Sequence, residues 1–120
     1  VDSWRAHIAE QIVAQELHTL SDKVSSRRSF WARPNNGAEV DFVISHRSRI
    51  YPIEVKSGTN AHLRSLQVFV DNSDVDLAVR VWSKPYSVDI VRTPNGKQFR
   101  LINLPFYLLS RIESIIDSLS

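Results

Sequence analysis

Apolar residues along the chain change period several times, and each change marks a predicted element. From Trp4 to Leu20 the apolar positions Ala6, Ala9, Val13, Leu17 and Leu20 recur at steps of three and four, the spacing of one helix face, with Asp2 or Ser3 available as the cap. Residues 29–33 then read as a first short strand. Pro34-Asn35-Asn36-Gly37 supplies positive-φ turn residues, and residues 38–45 and 49–56 read as two strands joined by a polar turn, a hairpin. Ser57-Gly58-Thr59-Asn60 ends the second of these and leads into a helix over 61–70. Residues 77–82 and 88–93 read as further strands, Pro94-Asn95-Gly96 as a turn, and 98–102 as a short strand. The last predicted element is an amphipathic helix over 104–119, with Pro105 in its first turn and Phe106, Tyr107 and Leu108 in the core. The order predicts an α/β fold, a mixed central sheet flanked by helices.

The chain has 120 residues, enough for one domain with a real core, and its hydrophobic share of 42% argues against a disordered class. With no cysteine there is no disulfide and no thiolate metal site, which fits a reducing, cytoplasmic setting. The longest apolar run, 101–109, is broken by Asn103 and Pro105 and falls far short of the roughly 20 residues that span a bilayer, so no membrane role is expected. A net charge of +2 is compatible with a nucleic-acid partner without requiring one. The chain contains no methionine, and the expectation is that it is a piece of a longer protein. The pattern carries no signal for an oligomeric state.

Candidate chemistry lies in the hairpin. In the run Ile53-Glu54-Val55-Lys56, Glu54 and Lys56 project to one sheet face, while Ile53 and Val55 project to the other. Charges on an otherwise apolar strand are costly to shelter unless they are paired or bind a metal. Asp41, between Val40 and Phe42, falls on the neighbouring strand. Paired strands run about 4.8 Å apart, so Asp41 and Glu54 could share one hard cation such as Mg2+ (or Mn2+), with the Val55 carbonyl as a further ligand. Lys56 would stand beside it, either orienting and helping to deprotonate a water or stabilising charge on a phosphate. The plainer alternative is a same-face Glu54–Lys56 ion pair on a solvated sheet with Asp41 at the surface.

With these residues quoted, Asp41 followed by Glu54-Val55-Lys56 resembles the D…E-x-K core of the PD-(D/E)XK, or restriction-endonuclease-like, nucleases, with Val40 where a proline usually precedes the aspartate. More narrowly, GAEVDFVI and YPIEVKSG, with EQIVAQEL before them and LINLPFYLL after, resemble the uncharacterised C-terminal domain that follows AAA-type ATPase modules in bacteria and archaea. The resemblance implies a single nuclease-like domain over 1–120, Mg2+-dependent cleavage of phosphodiesters, DNA as the expected nucleic acid, and an N-terminal ATPase module in the same chain. It also implies an acid on the opening helix, Glu10 by motif position, among the catalytic residues. A polar residue on the helix after the E-x-K strand often holds substrate or lysine in related nucleases, which makes Gln67 a candidate. Arg33 and Arg64, nearest in sequence to the site elements, are candidate phosphate contacts. The alternative function is a non-catalytic DNA- or protein-binding accessory domain of an ATPase. The chain has no G-x-x-x-x-G-K-[ST] phosphate loop, so ATP hydrolysis is not expected of it. The histidines His7, His18, His46 and His62 lack ligand spacing and are expected in surface or loop positions. Trp4, Trp31 and Trp82 are expected as core or interface anchors.

Overall fold

The computed structural model describes residues 11–13, 15, 24–25, 40–56 and 63–119. The strand expected over 29–33, the turn at 34–37, and the candidates Glu10 and Arg33 lie outside these residues. So does most of the first helix, of which residues 11–13 and 15 are helical, with Val13 fully buried and Ile12 exposed.

The described strands form one six-stranded sheet. They are β1 (Val24–Ser25), β2 (Phe42–His46), β3 (Arg49–Val55), β4 (Leu77–Trp82), β5 (Ser87–Arg92) and β6 (Gln98–Pro105), in the spatial order β1-β2-β3-β4-β6-β5. The sheet is mixed: β3, β4 and β6 run parallel in its middle, while β1 and β2 on one side and β5 on the other are antiparallel to their neighbours. The chain is thus an α/β fold, as the order of predicted elements implies. Helix α1 (Arg64–Asp71) connects β3 to β4, and α2 (Ile112–Leu119) closes the described chain. Parallel neighbours cannot be joined by a tight turn, so α1 follows from the β3–β4 pairing.

Strand register divides the sheet into two faces. Phe42, Ile44, Tyr51, Ile53, Val55, Val79, Val81, Ile102 and Leu104 share one face, all buried. Helix α2 covers this face, contributing Ile112 and Ile116. Val43, Pro52, Ala78, Leu101 and Phe99 occupy the other face, also buried. With both faces covered, β4 reads as an apolar run broken only at Arg80 rather than as an alternation, which is why its limits are legible from sequence. Pro52 sits inside β3 without breaking it. Its missing N–H would face β4, whose pairing with β3 begins one residue later, at Ile53 and Val79.

The turns explain the joins. Arg47 and Ser48 both adopt positive φ, 51° and 68°, the type I′ conformation that suits the twist of a two-residue hairpin. Between β5 and β6, Gly96 at φ 91° donates its N–H to the Thr93 carbonyl, and Thr93 and Lys97 close the loop. Asn72 caps the end of α1: its side-chain and backbone N–H groups both reach the Val68 carbonyl.

Three expectations need correction, and one short strand has no counterpart among them. A strand at Val24–Ser25 pairs with Ile44 and Val43; two residues are too few for an alternation to be read. Strand β6 does not stop at Ile102 but runs through Asn103-Leu104-Pro105, which pair with Arg80, Val81 and Trp82. Pro105 ends this strand in extended conformation, and a 3-10 helix (Phe106–Arg111) precedes α2, so the closing helix starts at Ile112 rather than Leu104. The later start alters the helical phase: Phe106 and Leu108 pack at the core margin, but Tyr107 is 78% exposed. Finally, His46 is not a turn histidine. It is the last residue of β2, buried, with Nε2 donating to Asp117 of α2 at 2.8 Å.

Asp117 therefore ties α2 to the hairpin. It accepts from the Arg47 Nε at 2.8 Å as well as from His46, and these bonds, Arg47's first, pull its carboxyl down to about 2 from an ordinary 3.8. A depressed carboxylate stabilises the fold above its unfolded value, and that stabilisation is lost as pH falls through the folded value. Acid titration followed by circular dichroism should show this loss between about pH 4 and pH 2. The Asp117→Asn variant should be less stable at neutral pH and should lose less over the same interval.

Candidate functional site

Asp41 is a bend residue immediately before β2. The β2–β3 register ends at Phe42 and Ile53; continued by one step, it sets Asp41 opposite Glu54. Continued by a further step, it would give the Val55 N–H a main-chain acceptor at residue 40. Instead, Oδ2 of Asp41 takes that N–H at 2.8 Å. The bend thus converts the last rung of a ladder into a side-chain contact, and it fixes the Asp41 carboxylate against the peptide that joins Glu54 to Val55.

Glu54 and Lys56 lie on one face, as strand alternation demands, with Ile53 and Val55 buried on the other. Lys56 lies just beyond β3, but its N–H still bonds the Val81 carbonyl at 2.8 Å, so the extended course continues. Its Nζ stands 3.5 Å from Oε2 of Glu54, and the two side chains are only 20% and 13% exposed. This is not a solvated surface pair. The structure brings Asp41, Glu54 and Lys56 to one place, with Val55 as the hinge between them.

Gln67 and Arg64 are placed otherwise. The side-chain amide of Gln67 donates to the Arg92 carbonyl at 3.0 Å, at the opposite end of β5 from Ser87. Arg64, the first residue of α1, is exposed to solvent. Neither shares a bond with the Asp41–Glu54–Lys56 group among the described contacts.

Sequence reasoning missed a second set of polar residues beside this group. The pairings place Glu54 next to Arg80, Arg80 next to Asn103, and Asn103 next to Ser87, on four adjacent strands and one face. Arg80 is 6% exposed and Asn103 fully buried. Arg80 donates from Nε to Oδ1 of Asn103 at 2.9 Å, and the Asn103 amide donates to Ser87 Oγ at 3.0 Å and Asp89 Oδ2 at 2.7 Å. The guanidinium lies 4.1 Å from the centre of the Trp82 ring, two residues along β4. Burial lowers the Arg80 pKa, and the Asp89 charge opposes that shift. Among the described residues, Arg80 Nη1 and Trp82 Nε1 are buried donors without a hydrogen-bonding partner, each an uncompensated loss of about 1–3 kcal/mol. The signal was available: an arginine inside LAVRVW and an asparagine inside LINLP are polar intrusions of the same kind as the glutamate in IEVK.

The whole row lies toward the carboxyl ends of the parallel strands, while the same face is apolar at their beginnings, with Ala78 and Leu101. Open α/β sheets characteristically present ligand sites beyond those carboxyl ends. Among the described residues no group of three or more His, Asp or Glu side chains gathers as for a metal ion. Two sheltered carboxylates nevertheless suit Mg2+, which takes one or two from the protein and completes its octahedron with waters and phosphate oxygens.

A family model described as "Domain of unknown function (DUF4143)" matches residues 5–107. The match takes in every strand described above and the whole Asp41–Lys56 stretch. No curated protein and no solved structure matches the chain. No helix among the described residues is long and apolar enough to cross a membrane.

The Asp41–Val55 bond sets a stability test that needs no ligand. Asp41→Ala strands a buried N–H and should lower unfolding free energy by about 1–3 kcal/mol in urea denaturation, whereas Asp41→Asn keeps an acceptor and should lower it by less than about half as much.

Proposed function

The chain belongs to the DUF4143 family, a domain of unknown function, and from that premise we propose that it is a magnesium-dependent, nuclease-like domain of the PD-(D/E)XK type. Its substrate would be the phosphodiester backbone of DNA. The observation that carries the reading is the convergence of Asp41, Glu54 and Lys56 around Val55, in the D…E-x-K order, at the carboxyl ends of parallel strands. An ion pair on a solvated sheet would not place its members at 13% and 20% exposure, nor recruit a neighbouring aspartate to the intervening peptide.

Asp41 and Glu54 are the residues that would hold Mg2+ or Mn2+, with the Val55 carbonyl as a further oxygen donor. When bound, the cation would supply Lewis-acid activation of water and charge neutralisation at the scissile phosphate. The chain's own contributions are separable from that. The Val55 N–H orients the Asp41 carboxylate. Glu54 holds the Lys56 ammonium by charge, 3.5 Å away, and so keeps a cation where charge develops on a phosphate. Sheltering by the sheet limits competing water around both groups. In the proposal the domain works with an ATPase module N-terminal to it in a longer protein, which would supply the ATP-driven step for which these 120 residues carry no phosphate loop.

Supercoiled plasmid and single-stranded DNA incubated with the purified chain in Mg2+ or Mn2+ should be nicked or degraded, and EDTA should abolish this. Glu54→Gln and Asp41→Asn, the latter chosen because it preserves the fold contact, should each reduce the rate by at least roughly a hundredfold. Equal rates in wild type and both variants would remove the nuclease reading. DNA binding that survives both substitutions, without cleavage, would favour the accessory-domain role.

A further inference from the structure

A row of polar residues continues from Glu54 across β4, β6 and β5. Its central residue, Arg80, is a buried cation whose Nε is committed to Asn103 and whose Nη1 has no partner among the described residues. Asn103 is itself fixed by Ser87 and Asp89, so the Nε bond sets the guanidinium plane, and the Trp82 ring at 4.1 Å bounds one side of it. Trp82 adds a second buried N–H donor without an acceptor among the described residues. Lys84 Nζ lies 5.4 Å from the centre of the same ring, and the β3–β4 register, continued by one step, brings Lys56 beside Trp82. Two buried donors lacking acceptors among the described residues, with Lys84 by the Trp82 ring, Lys56 beside Trp82 by register and Glu54 beside Arg80, are the donor set that an oxyanion takes. A rigidly oriented guanidinium is the side chain best suited to a phosphate, because its donors form a planar fork.

We infer that Arg80 and Trp82 form an oxyanion subsite that takes a phosphate group, supplied by the nucleic-acid backbone, beside the Asp41–Glu54 pair. The identity of the phosphate as a backbone phosphodiester rests on the nuclease reading; the presence of an anion subsite does not. Arg80 is then a substrate-contacting residue, and Asn103 is a positioning residue that acts through it. The subsite places a fixed positive charge on the β4 side of Glu54, while Lys56 stands on β3, so a phosphate between the strands would be met from both.

Binding measured without divalent metal separates this inference from catalysis. Labelled single-stranded oligonucleotide is titrated in EDTA by fluorescence anisotropy, with inorganic phosphate as a second ligand, and the indole N–H signal of Trp82, identified through Trp82→Phe, is followed by nuclear magnetic resonance. The oligonucleotide should shift that signal and bind more weakly as salt rises. Arg80→Gln and Arg80→Lys should each weaken binding by about tenfold or more, the lysine variant because it keeps the charge but loses the fork. Should Arg80→Gln fail to fold, Arg80→Lys carries the comparison. The inference is overturned if neither ligand at millimolar concentration moves the Trp82 signal, or if the folded Arg80 variants bind within twofold of wild type. A response to phosphate with none to oligonucleotide would overturn the backbone source. Cleavage assays on the same preparations keep the two readings apart: cleavage indifferent to Arg80 sinks the subsite alone, and Arg80-dependent binding without cleavage sinks the nuclease alone.

Discussion

One hydrogen bond decides the geometry of the candidate site: the Val55 N–H to the Asp41 carboxylate, 2.8 Å long. Had β2 continued its ladder for another rung, a main-chain carbonyl would satisfy Val55 and Asp41 would be one more residue on a strand. The bend at Asp41 exchanges that rung for a side-chain acceptor. The exchange satisfies a buried donor, which the fold requires, and simultaneously anchors a carboxylate beside Glu54, which any cation site at this place would require. Fold stability and candidate chemistry therefore share one contact.

The rest of the sheet makes this contact tolerable. Charged and amide side chains at Glu54, Lys56, Arg80 and Asn103 are sheltered on a face that is apolar at Pro52, Ala78, Leu101 and Phe99. Such burial is opposed by desolvation unless each group finds a partner. Much of the row meets that condition internally: Lys56 with Glu54, Arg80 with Asn103, Asn103 with Ser87 and Asp89. Meanwhile the opposite face is closed by α2, whose Asp117 reaches His46 and Arg47 on the hairpin and so braces the β2–β3 pair that holds the site.

Legibility from sequence tracked locality. The β4 run, the hairpin and the alternation in IEVK were readable because each depends on neighbours within a few residues, and all three are present as expected. The extent of β6 was not, because Leu104 and Pro105 stay extended through pairing with Val81 and Trp82, a constraint from a strand more than twenty residues earlier. Tyr107 follows from this: it lies in the 3-10 helix after Pro105 and not in an α-helix begun at Leu104, and it faces outward. His46 reads as a loop residue from its neighbours alone, because nothing local announces Asp117, 71 positions away. Arg80 and Asn103 carried the same polar-in-apolar signal as Glu54, but only the registers of three strand pairs reveal that they lie in one row. The family match adds membership without activity, so the functional reading rests on this geometry.

The most direct test of the account is a crystal of the chain soaked in millimolar Mn2+ and examined for anomalous scattering. A single strong peak is expected between the carboxylates of Asp41 and Glu54, within bonding distance of both and lost in Glu54→Gln. A map with no peak there, or with manganese held only by acids elsewhere, would contradict it.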